Sequence, residues 1–176
     1  MKIVLSGFMG TGKSVVGRRL AERLGLSFID LDDLIQEKAG MAIPEIFASE
    51  GESGFRQRER ELIAGFAHRR DCVIATGGGA MLDSENVRAL KTGGVLVCLQ
   101  ADPEIILKRI GADPHRPLLQ VPDRIARIRE LLEQRASAYA QADLLLETSG
   151  AAVEEIVDRI VRDLLPEPAK AADQAR

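Results

Sequence analysis

Short apolar segments alternate along the chain with longer segments in which apolar residues recur every three or four positions. The short segments predict strands, and the longer ones predict amphipathic helices. Five strands are predicted, at 2–6, 26–30, 72–76, 94–100 and 143–148. The predicted helices span 13–24, 33–40, 43–51, 53–70, 84–91, 103–110, 123–142 and 151–164. This alternation predicts an α/β fold, in which a parallel sheet carries helices on both faces.

Local signals define several boundaries along the chain. Gly40 is expected to end the second helix, and Asp102 is expected to cap the sixth. Residues 111–122 contain three prolines and are predicted to form a loop. The predicted apolar face of the first helix consists of Val15, Val16, Leu20 and Leu24. The tail 166–176 is expected to be frayed and flexible, which leaves 1–165 as a single domain.

The composition fits a globular domain that binds small molecules. The chain has 176 residues, of which 45% are apolar and 29% charged, so it can bury a sizeable core. Its formal net charge of -3 argues against a broad surface for nucleic acid or a membrane, because such surfaces need clustered positive charge. A small anionic substrate is still compatible, since it needs only a few well-placed arginines.

The sequence contains no apolar run of the roughly 20 residues that a membrane span needs. The N-terminal run MKIVLSG is too short for a signal peptide and is predicted to begin the first strand. Cys72 and Cys98 lie in apolar runs without metal-ligand spacing, so they are predicted to be buried, reduced thiols. These features lead us to expect a cytoplasmic monomer.

The strongest chemical signal is Gly7–Ser14, GFMGTGKS, which matches the phosphate-binding pattern G-x-x-x-x-G-K-[ST]. Glycines let the backbone curl so that successive N–H groups point at an anion, and the following helix adds its positive N-terminal end. Lys13 can then reach the β- and γ-phosphates of a nucleotide, and the Ser14 hydroxyl can bind Mg²⁺. The run lies between a predicted strand and a predicted helix, as this mechanism requires.

Acidic residues at the end of the second strand, in FIDLDD, are candidates for the surroundings of the metal. Proteins with this loop often use an aspartate at the end of another strand, and here the third strand ends in Thr76 without an acid. Asp30 falls at the strand end, and Asp32, two positions on, can face the same cleft. A helix N-cap followed by first-turn acids is an alternative explanation, which fits Asp33 best.

The candidates for binding a second substrate are Arg56, Arg116 and Arg135. A planar guanidinium can grip a carboxylate or phosphate with two parallel hydrogen bonds. The turn Gly77–Gly79 adds backbone N–H groups that no side chain blocks. With Asp32, these residues suggest a small acceptor that carries an anion and hydroxyl groups. The spacing leaves open that Arg56 and Arg135 lie on solvated helix faces, where Glu59 would pair with Arg56.

Taken together, these segments resemble the shikimate kinase family. GFMGTGKS, FIDLDD, IPEIFASEGESGFRQRE, TGGGA, RPLL and EQRASAY stand in the order and spacing of that family, over about residues 3–163. The phosphate loop alone occurs in many proteins, whereas the combination is specific. The resemblance implies a P-loop kinase fold of the nucleoside-monophosphate-kinase type. It is a three-layer sandwich with a parallel five-stranded sheet in the order 2-3-1-4-5 and a mobile lid at about 111–123.

The resemblance also implies an activity and a role for each candidate residue. The enzyme would transfer the γ-phosphoryl group of ATP to the 3-hydroxyl of shikimate, with Mg²⁺, in aromatic amino-acid biosynthesis. The catalytic residues would be Lys13, Asp32 and Arg116. The nucleotide would contact Gly10, Thr11, Gly12, Lys13, Ser14, Val15, Arg109 and Arg116. Shikimate would contact Asp32, Arg56, Gly77, Gly78, Gly79 and Arg135, with its binding helices at about 31–68. Mg²⁺ would lie at Ser14 and, through water, Asp30.

The resemblance further implies that Arg116 would close over the phosphates from the lid and that Arg109 would lie against the adenine. Asp32 could accept the proton of the 3-hydroxyl. Leu31 stands where the family often has a small polar residue, and Ser137 where a proline is frequent. Leu31 should point away from the cleft if its neighbouring aspartates point inward. The alternative functions are another small-molecule kinase of this fold, for gluconate or a nucleotide, and a nucleotide-dependent switch.

Replacement of Lys13 by alanine is expected to abolish ATP turnover, because the phosphate loop then loses the cation that reaches the transferred phosphoryl group. The rate of ADP formation measures this effect. Retained activity in the variant would contradict the assignment of the loop as a phosphate cradle.

Overall fold

The computed structural model describes residues 1–111 and 117–165. Its centre is a five-stranded sheet in the order β2-β3-β1-β4-β5, in which all neighbouring strands are parallel. The strands are β1 (Lys2–Gly7), β2 (Ser27–Asp30), β3 (Cys72–Ala75), β4 (Val95–Gln100) and β5 (Leu144–Glu147). The sheet confirms the predicted α/β fold and the strand order that the family resemblance implies.

Helices connect the strands and cover both faces of the sheet. In the described part of the chain they are α1 (Lys13–Leu24), α2 (Leu31–Ala39), α3 (Ile43–Gly65), α4 (Ser84–Lys91), α5 (Pro103–Ile110), α6 (Arg124–Tyr139) and α7 (Val153–Leu164). The predicted bounds of α1, α4 and α5 agree with the structure. Gly40 has a φ of 67° and ends α2, as its sequence position predicts.

Two long helices end earlier than predicted. The helix α3 ends at Gly65 instead of 70, because the chain must turn there to enter β3; Asp71, just before the strand, has a φ of 55°. The helix α6 ends at Tyr139 instead of 142, and Asp143 then accepts a hydrogen bond at 2.9 Å from the backbone of Leu96 in β4. At α6, a contact with a neighbouring strand therefore accompanies the end of the helix.

Two further details of the sequence prediction differ in the structure. Asp102 stands at the N-cap of α5, as predicted, but its side chain makes no capping hydrogen bond, and its backbone N–H donates to the Ser149 hydroxyl at 2.8 Å. Val15 does not face the core, since it is 60% exposed. The buried face of α1 consists of Val16, Gly17, Leu20 and Ala21. Val15 lies about 100° around the helix from Val16, which is enough to turn it towards the carboxyl edge of the sheet.

Successive side chains of the central strands point to opposite faces of the sheet, where they pack into two apolar clusters. On β1, Val4 points into one apolar cluster, whereas Ile3 and Leu5 point into the other. The helices α1 and α7 cover the second cluster through side chains such as Leu20 and Ile160. Leu31, at the start of α2, is fully buried in the first cluster, which confirms that it points away from the cleft.

Both cysteines are free and buried, as predicted. Burial raises the pKa of the Cys72 thiol, and it raises the pKa of Cys98 to about 12. Both thiols are therefore protonated at neutral pH and pack as small apolar groups. Among the described helices, none is both long and apolar enough to cross a membrane.

Parallel pairing brings the functional segments to one edge of the sheet. Ala75 in β3 is in register with Asp30 in β2 on one side and with Leu5 in β1 on the other. The segments that follow these strands, the phosphate loop and the turn Gly77–Gly79, therefore emerge side by side at the carboxyl ends. In open α/β sheets this is the edge where ligands bind.

Gly7→Ala is expected to destabilise the fold severely. Gly7 has a φ of 128°, and a Cβ there would lie 2.1 Å from the backbone oxygen of Leu99. We expect the free energy of unfolding to fall by more than about 3 kcal/mol, as measured by urea denaturation. The matched control is Gly25→Ala, where φ is 64° and a Cβ would meet nothing within 4 Å. The control should lose only about 1 kcal/mol, and equal losses would contradict the prediction.

Candidate active site

A cavity of about 490 Å³ opens at the carboxyl edge of the sheet. It is lined by most of the predicted site residues: Gly10, Gly12, Lys13, Ser14, Val15, Asp30, Asp32, Arg56, Gly77, Gly78, Gly79 and Arg135. Thr11 belongs to the phosphate loop but is buried beneath it, and Arg109 contacts the back of that loop. Arg116 lies outside the described residues. The fold thus brings together segments that are far apart in sequence.

The phosphate loop has the backbone conformation of an anion cradle. Gly7, Gly10 and Gly12 have φ values of 128°, 77° and 97°, which residues with a side chain rarely adopt. Gly12 precedes α1 without a side-chain cap, so that the positive N-terminal end of α1 faces the cavity. The ammonium of Lys13 donates to the backbone oxygens of Gly7 and Phe8 at 3.0 and 2.9 Å, which holds the cation over the loop.

Ser14 and Asp30 form the candidate metal site. The Ser14 hydroxyl donates to one carboxylate oxygen of Asp30 at 2.7 Å. The other oxygen of Asp30 accepts from the backbone N–H of Asp32 at 3.1 Å and so caps α2. Asp30 therefore serves as the N-cap and faces the cavity as well. Oxygen ligands of this kind suit Mg²⁺, which takes one or two protein ligands and completes its shell with water and phosphates.

Arg109 joins the back of the phosphate loop to the segment after β5. Its guanidinium donates to the backbone oxygen of Gly10 at 3.3 Å and to the hydroxyl and backbone oxygen of Thr148 at 3.1 and 2.9 Å. Thr148 is fully buried, and its hydroxyl lies 2.8 Å from the backbone oxygen of Gln100 in β4. These contacts fix the Arg109 guanidinium between the phosphate loop and Thr148. The sequence analysis did not identify Thr148, since a threonine at a strand end carries no signal of its own.

Gly77 separates two carboxylates. A Cβ at Gly77 would lie 2.8 Å from one oxygen of Glu59 and 2.9 Å from one oxygen of Asp32. The two acids therefore approach each other across a backbone position that has no room for a side chain. Gly79 is equally restricted, because a Cβ there would lie 2.4 Å from the guanidinium of Arg56. Gly77 and Gly79 are thus required by the close approach of neighbouring side chains, a reason that the sequence analysis did not anticipate.

Arg56 and Glu59 form an ion pair of 2.7 Å at the wall of the cavity. Glu59 is only 1% exposed, and its second oxygen has no hydrogen-bond partner among the described residues. Burial is the main reason that the pKa of Glu59 is raised; pairing with Arg56 opposes this effect, and the charge of Asp32 adds to it. Burial alone would lower the pKa of Arg56, but Glu59 and Glu52 outweigh it and the pKa is raised. Arg56 therefore stays charged.

Arg135 is buried, which excludes the solvated helix face that its spacing left open. It is 5% exposed and donates to the backbone oxygen of Gly78 at 3.2 Å. Its guanidinium carbon lies 5.4 Å from the centre of the Phe8 ring. The hydroxyl of Tyr139, one turn further along α6, donates to the same oxygen of Gly78 at 2.8 Å. Arg135 and Arg56 thus present two cations around the glycine turn.

One side of the cavity is apolar, and the sequence analysis did not predict it. This wall consists of Ile43, Pro44, Phe47, Phe55 and Leu118. Apolar residues at helical spacing are typical of a core face, so the sequence has no signal that distinguishes a cavity wall from the core. A small ligand with both an apolar surface and a carboxylate would find both kinds of surface in this cavity.

Comparison with known proteins identifies close relatives. The family model described as Shikimate kinase matches residues 9–165. A shikimate kinase of Thermodesulfovibrio yellowstonii is 45% identical over 161 residues, which cover 92% of this chain and 93% of the relative. A shikimate kinase of Moorella thermoacetica is 51% identical over 150 residues, which cover 84% of this chain and 85% of the relative.

Solved structures show the same similarity. A shikimate kinase from Acinetobacter baumannii in complex with shikimate has a TM-score of 0.91 and 40% identity, over 96% of this chain and 95% of that structure. A gluconokinase from Sinorhizobium meliloti has a TM-score of 0.53 and 18% identity, over 93% of this chain and 94% of that one. The second similarity shows a shared fold alone.

Glu59→Gln should change how stability depends on pH. Because the pKa of Glu59 is raised above its ordinary value of 4.5, the folded protein holds this proton more tightly than the unfolded chain does. The contribution of Glu59 to stability therefore falls as pH rises from about 4.5 through the raised pKa. Glutamine can still accept a hydrogen bond from Arg56 but does not ionise.

The free energy of unfolding of Glu59→Gln, relative to the unsubstituted protein, is therefore expected to increase between pH 4.5 and pH 8. Urea denaturation at several pH values measures the difference. Glu61→Gln, an exposed position on the same helix, is the matched control and should show no such trend. A flat difference for Glu59→Gln would contradict the assigned direction of the pKa shift.

Proposed function

This chain belongs to the shikimate kinase family, and we propose that it transfers the γ-phosphoryl group of ATP to the 3-hydroxyl of shikimate. The product is shikimate 3-phosphate, an intermediate of aromatic amino-acid biosynthesis. The observation that carries the proposal is that one cavity is lined both by a phosphate cradle and by two arginines around a glycine turn. The first suits a nucleotide, and the second suits the carboxylate of a small acceptor.

The nucleotide half of the cavity contains the residues for phosphoryl transfer. Lys13 would neutralise charge that develops on the transferred group, and the backbone N–H groups of Gly10–Gly12 would cradle the other phosphates. We propose Mg²⁺ as the metal, which when bound would offset the negative charge of the phosphates. Ser14 would bind it directly, and Asp30 would hold one of its water ligands. Arg109 would lie at the adenine.

The acceptor half would hold shikimate by its two polar ends. Arg56, Arg135 and the turn Gly77–Gly79 would bind its carboxylate, while Asp32 would accept hydrogen bonds from its hydroxyl groups. Asp32 would also orient the 3-hydroxyl towards the phosphate and take up its proton. The buried ion pair with Glu59 would keep Arg56 in place before the substrate arrives, which reduces the ordering cost of binding.

The lid and the assembly state complete the proposal. Arg116 would contribute a further cation from the segment of about 111–123, and Arg116 itself lies outside the described residues. The kinase domain, 1–165, would act as a monomer. The alternatives among kinases of this fold have weaker support, because the similar gluconokinase shares only 18% of its residues with this chain.

ADP release from Mg·ATP tests the function. It should be measured with shikimate, with gluconate, with a nucleoside monophosphate and without an acceptor. We expect release to depend on shikimate alone. Release that depends on gluconate or on a nucleotide would replace the proposed acceptor, and release without any acceptor would favour a nucleotide-dependent switch.

Arg135→Ala is expected to raise the KM for shikimate by about 10- to 100-fold, because a charge-assisted hydrogen bond contributes roughly 1.5–3 kcal/mol. The KM for ATP should stay within about twofold. Steady-state kinetics with each substrate varied in turn separate the two effects. Arg88→Ala removes an exposed arginine on α4 and is the matched control. An equal rise in both KM values would point to a folding role for Arg135 instead.

A further inference from the structure

The helix α3 contains one residue that is not helical. Gly51 has a φ of 71° and a ψ of -179°, a combination that is open almost exclusively to glycine. A Cβ at this position would meet nothing within 4 Å, so close packing does not require the glycine. The backbone conformation alone requires it. The helix therefore consists of two segments, 43–50 and 52–65, joined by a break.

The break changes which side chains share a face. Successive residues of an uninterrupted helix rotate by about 100°, so residues nine positions apart point in roughly opposite directions. Phe47 and Arg56 are nine positions apart, yet both line the cavity of the candidate active site. Ile46 and Phe55 are also nine positions apart, yet both are buried in one apolar cluster. A straight helix would separate the members of each pair.

Side chains join the two segments across the break. The guanidinium of Arg58 donates two hydrogen bonds to the carboxylate of Glu50, at 2.7 and 2.8 Å. Such a bidentate pair restricts orientation as well as distance. The rings of Phe47 and Phe55 lie 4.9 Å apart between centroids, at an interplanar angle of 35°. The angle between the segments is therefore held from both the polar and the apolar side.

We propose that Gly51 is a positioning residue for the acceptor. Its break turns the segment 43–50 so that the ring of Phe47 and the guanidinium of Arg56 line the same part of the site. The acceptor then meets an apolar surface and a cation together, which favours a carboxylate carried on a small ring. The residues that the break positions, Phe47 and Arg56, lie on α3 and not in the phosphate loop, so we expect the effect to concern the acceptor. The identity of that acceptor rests on the proposed function.

Gly51→Ala tests the proposal, because alanine disfavours the observed backbone conformation. We expect the Kd for shikimate, measured by calorimetry, to rise by about tenfold or more, since small displacements of binding groups have large effects. The Kd for ATP should stay within about twofold. Gly93→Ala is the matched control: its φ is 64°, a Cβ would meet nothing within 4 Å, and it precedes β4 at the opposite edge of the sheet. It should leave both Kd values unchanged.

A second variant retains Gly51 and removes the ion pair between Arg58 and Glu50 that joins the two segments of α3. Arg58→Gln eliminates the bidentate pair with Glu50, and we expect the Kd for shikimate to rise by about three- to tenfold with that for ATP unchanged. Arg88→Gln, which removes an exposed pair with Glu85, is its control and should change neither Kd. This variant keeps the proposal testable if Gly51→Ala does not fold.

The possible results distinguish a failure of the role proposed for Gly51 from a failure of the proposed function. Unchanged shikimate affinity in folded Gly51→Ala, or an equal loss of affinity for both substrates, would overturn the role of Gly51. If the unsubstituted protein does not bind shikimate, the proposed function fails instead. The break can then be tested without a ligand, by a crystal structure of Gly51→Ala. A straightened helix that removes Phe47 from the cavity would support the positioning role, and an unchanged break would overturn it.

Discussion

Parallel pairing of β1 with its neighbours is the constraint on which the rest of the structure depends. Because the strands run in one direction, their carboxyl ends meet at one edge, and the segments that follow β1, β2 and β3 line the same cavity. The phosphate loop follows β1, Asp30 ends β2, and the turn Gly77–Gly79 follows β3. Residues from three distant parts of the sequence therefore form a single site without any rearrangement of the chain.

The site combines close backbone approach with buried charge. Glycines at 77 and 79 let the turn pack against Glu59, Asp32 and Arg56 at distances that a Cβ would prevent. Burial of Glu59 is unfavourable by itself, and the ion pair with Arg56 offsets part of that cost. The result is a cation that is oriented before any ligand binds. Such preorganisation is useful in phosphoryl transfer, where positioning and charge stabilisation supply most of the catalysis.

The two halves of the site are held by different means. Backbone conformation shapes the part around the phosphate loop, where three glycines and the start of α1 form the cradle. Side chains from α3 and α6 shape the part around the turn Gly77–Gly79, and α3 itself is broken at Gly51. This division explains how members of one fold can keep the same phosphate loop while they differ in the acceptor that they bind.

Local features of the sequence determined most of the secondary structure and the phosphate loop. The hydrophobic pattern predicts the strands and most helix ends, because a pleated strand and an amphipathic helix impose fixed periods. The pattern GFMGTGKS predicts the cradle, since glycines and a lysine at that spacing suit few other structures. The family resemblance correctly indicates the strand order, which periodicity alone does not contain.

Contacts between distant segments decided the rest. The hydrophobic pattern did not reveal that Arg135 is buried under the glycine turn or that α3 stops at Gly65. It also placed Val15 on the buried face of α1, whereas the family resemblance implied a position at the nucleotide, and Val15 lines the cavity. The sequence pattern also gave no indication of the apolar wall of the cavity or of the role of Thr148. In each case the same residue type at the same spacing suits two environments, and the difference lies in what packs against it. The sequence therefore determined the elements and the chemistry of the loop, whereas only the tertiary structure decided which faces became core, surface or site, because burial is a property of neighbouring segments.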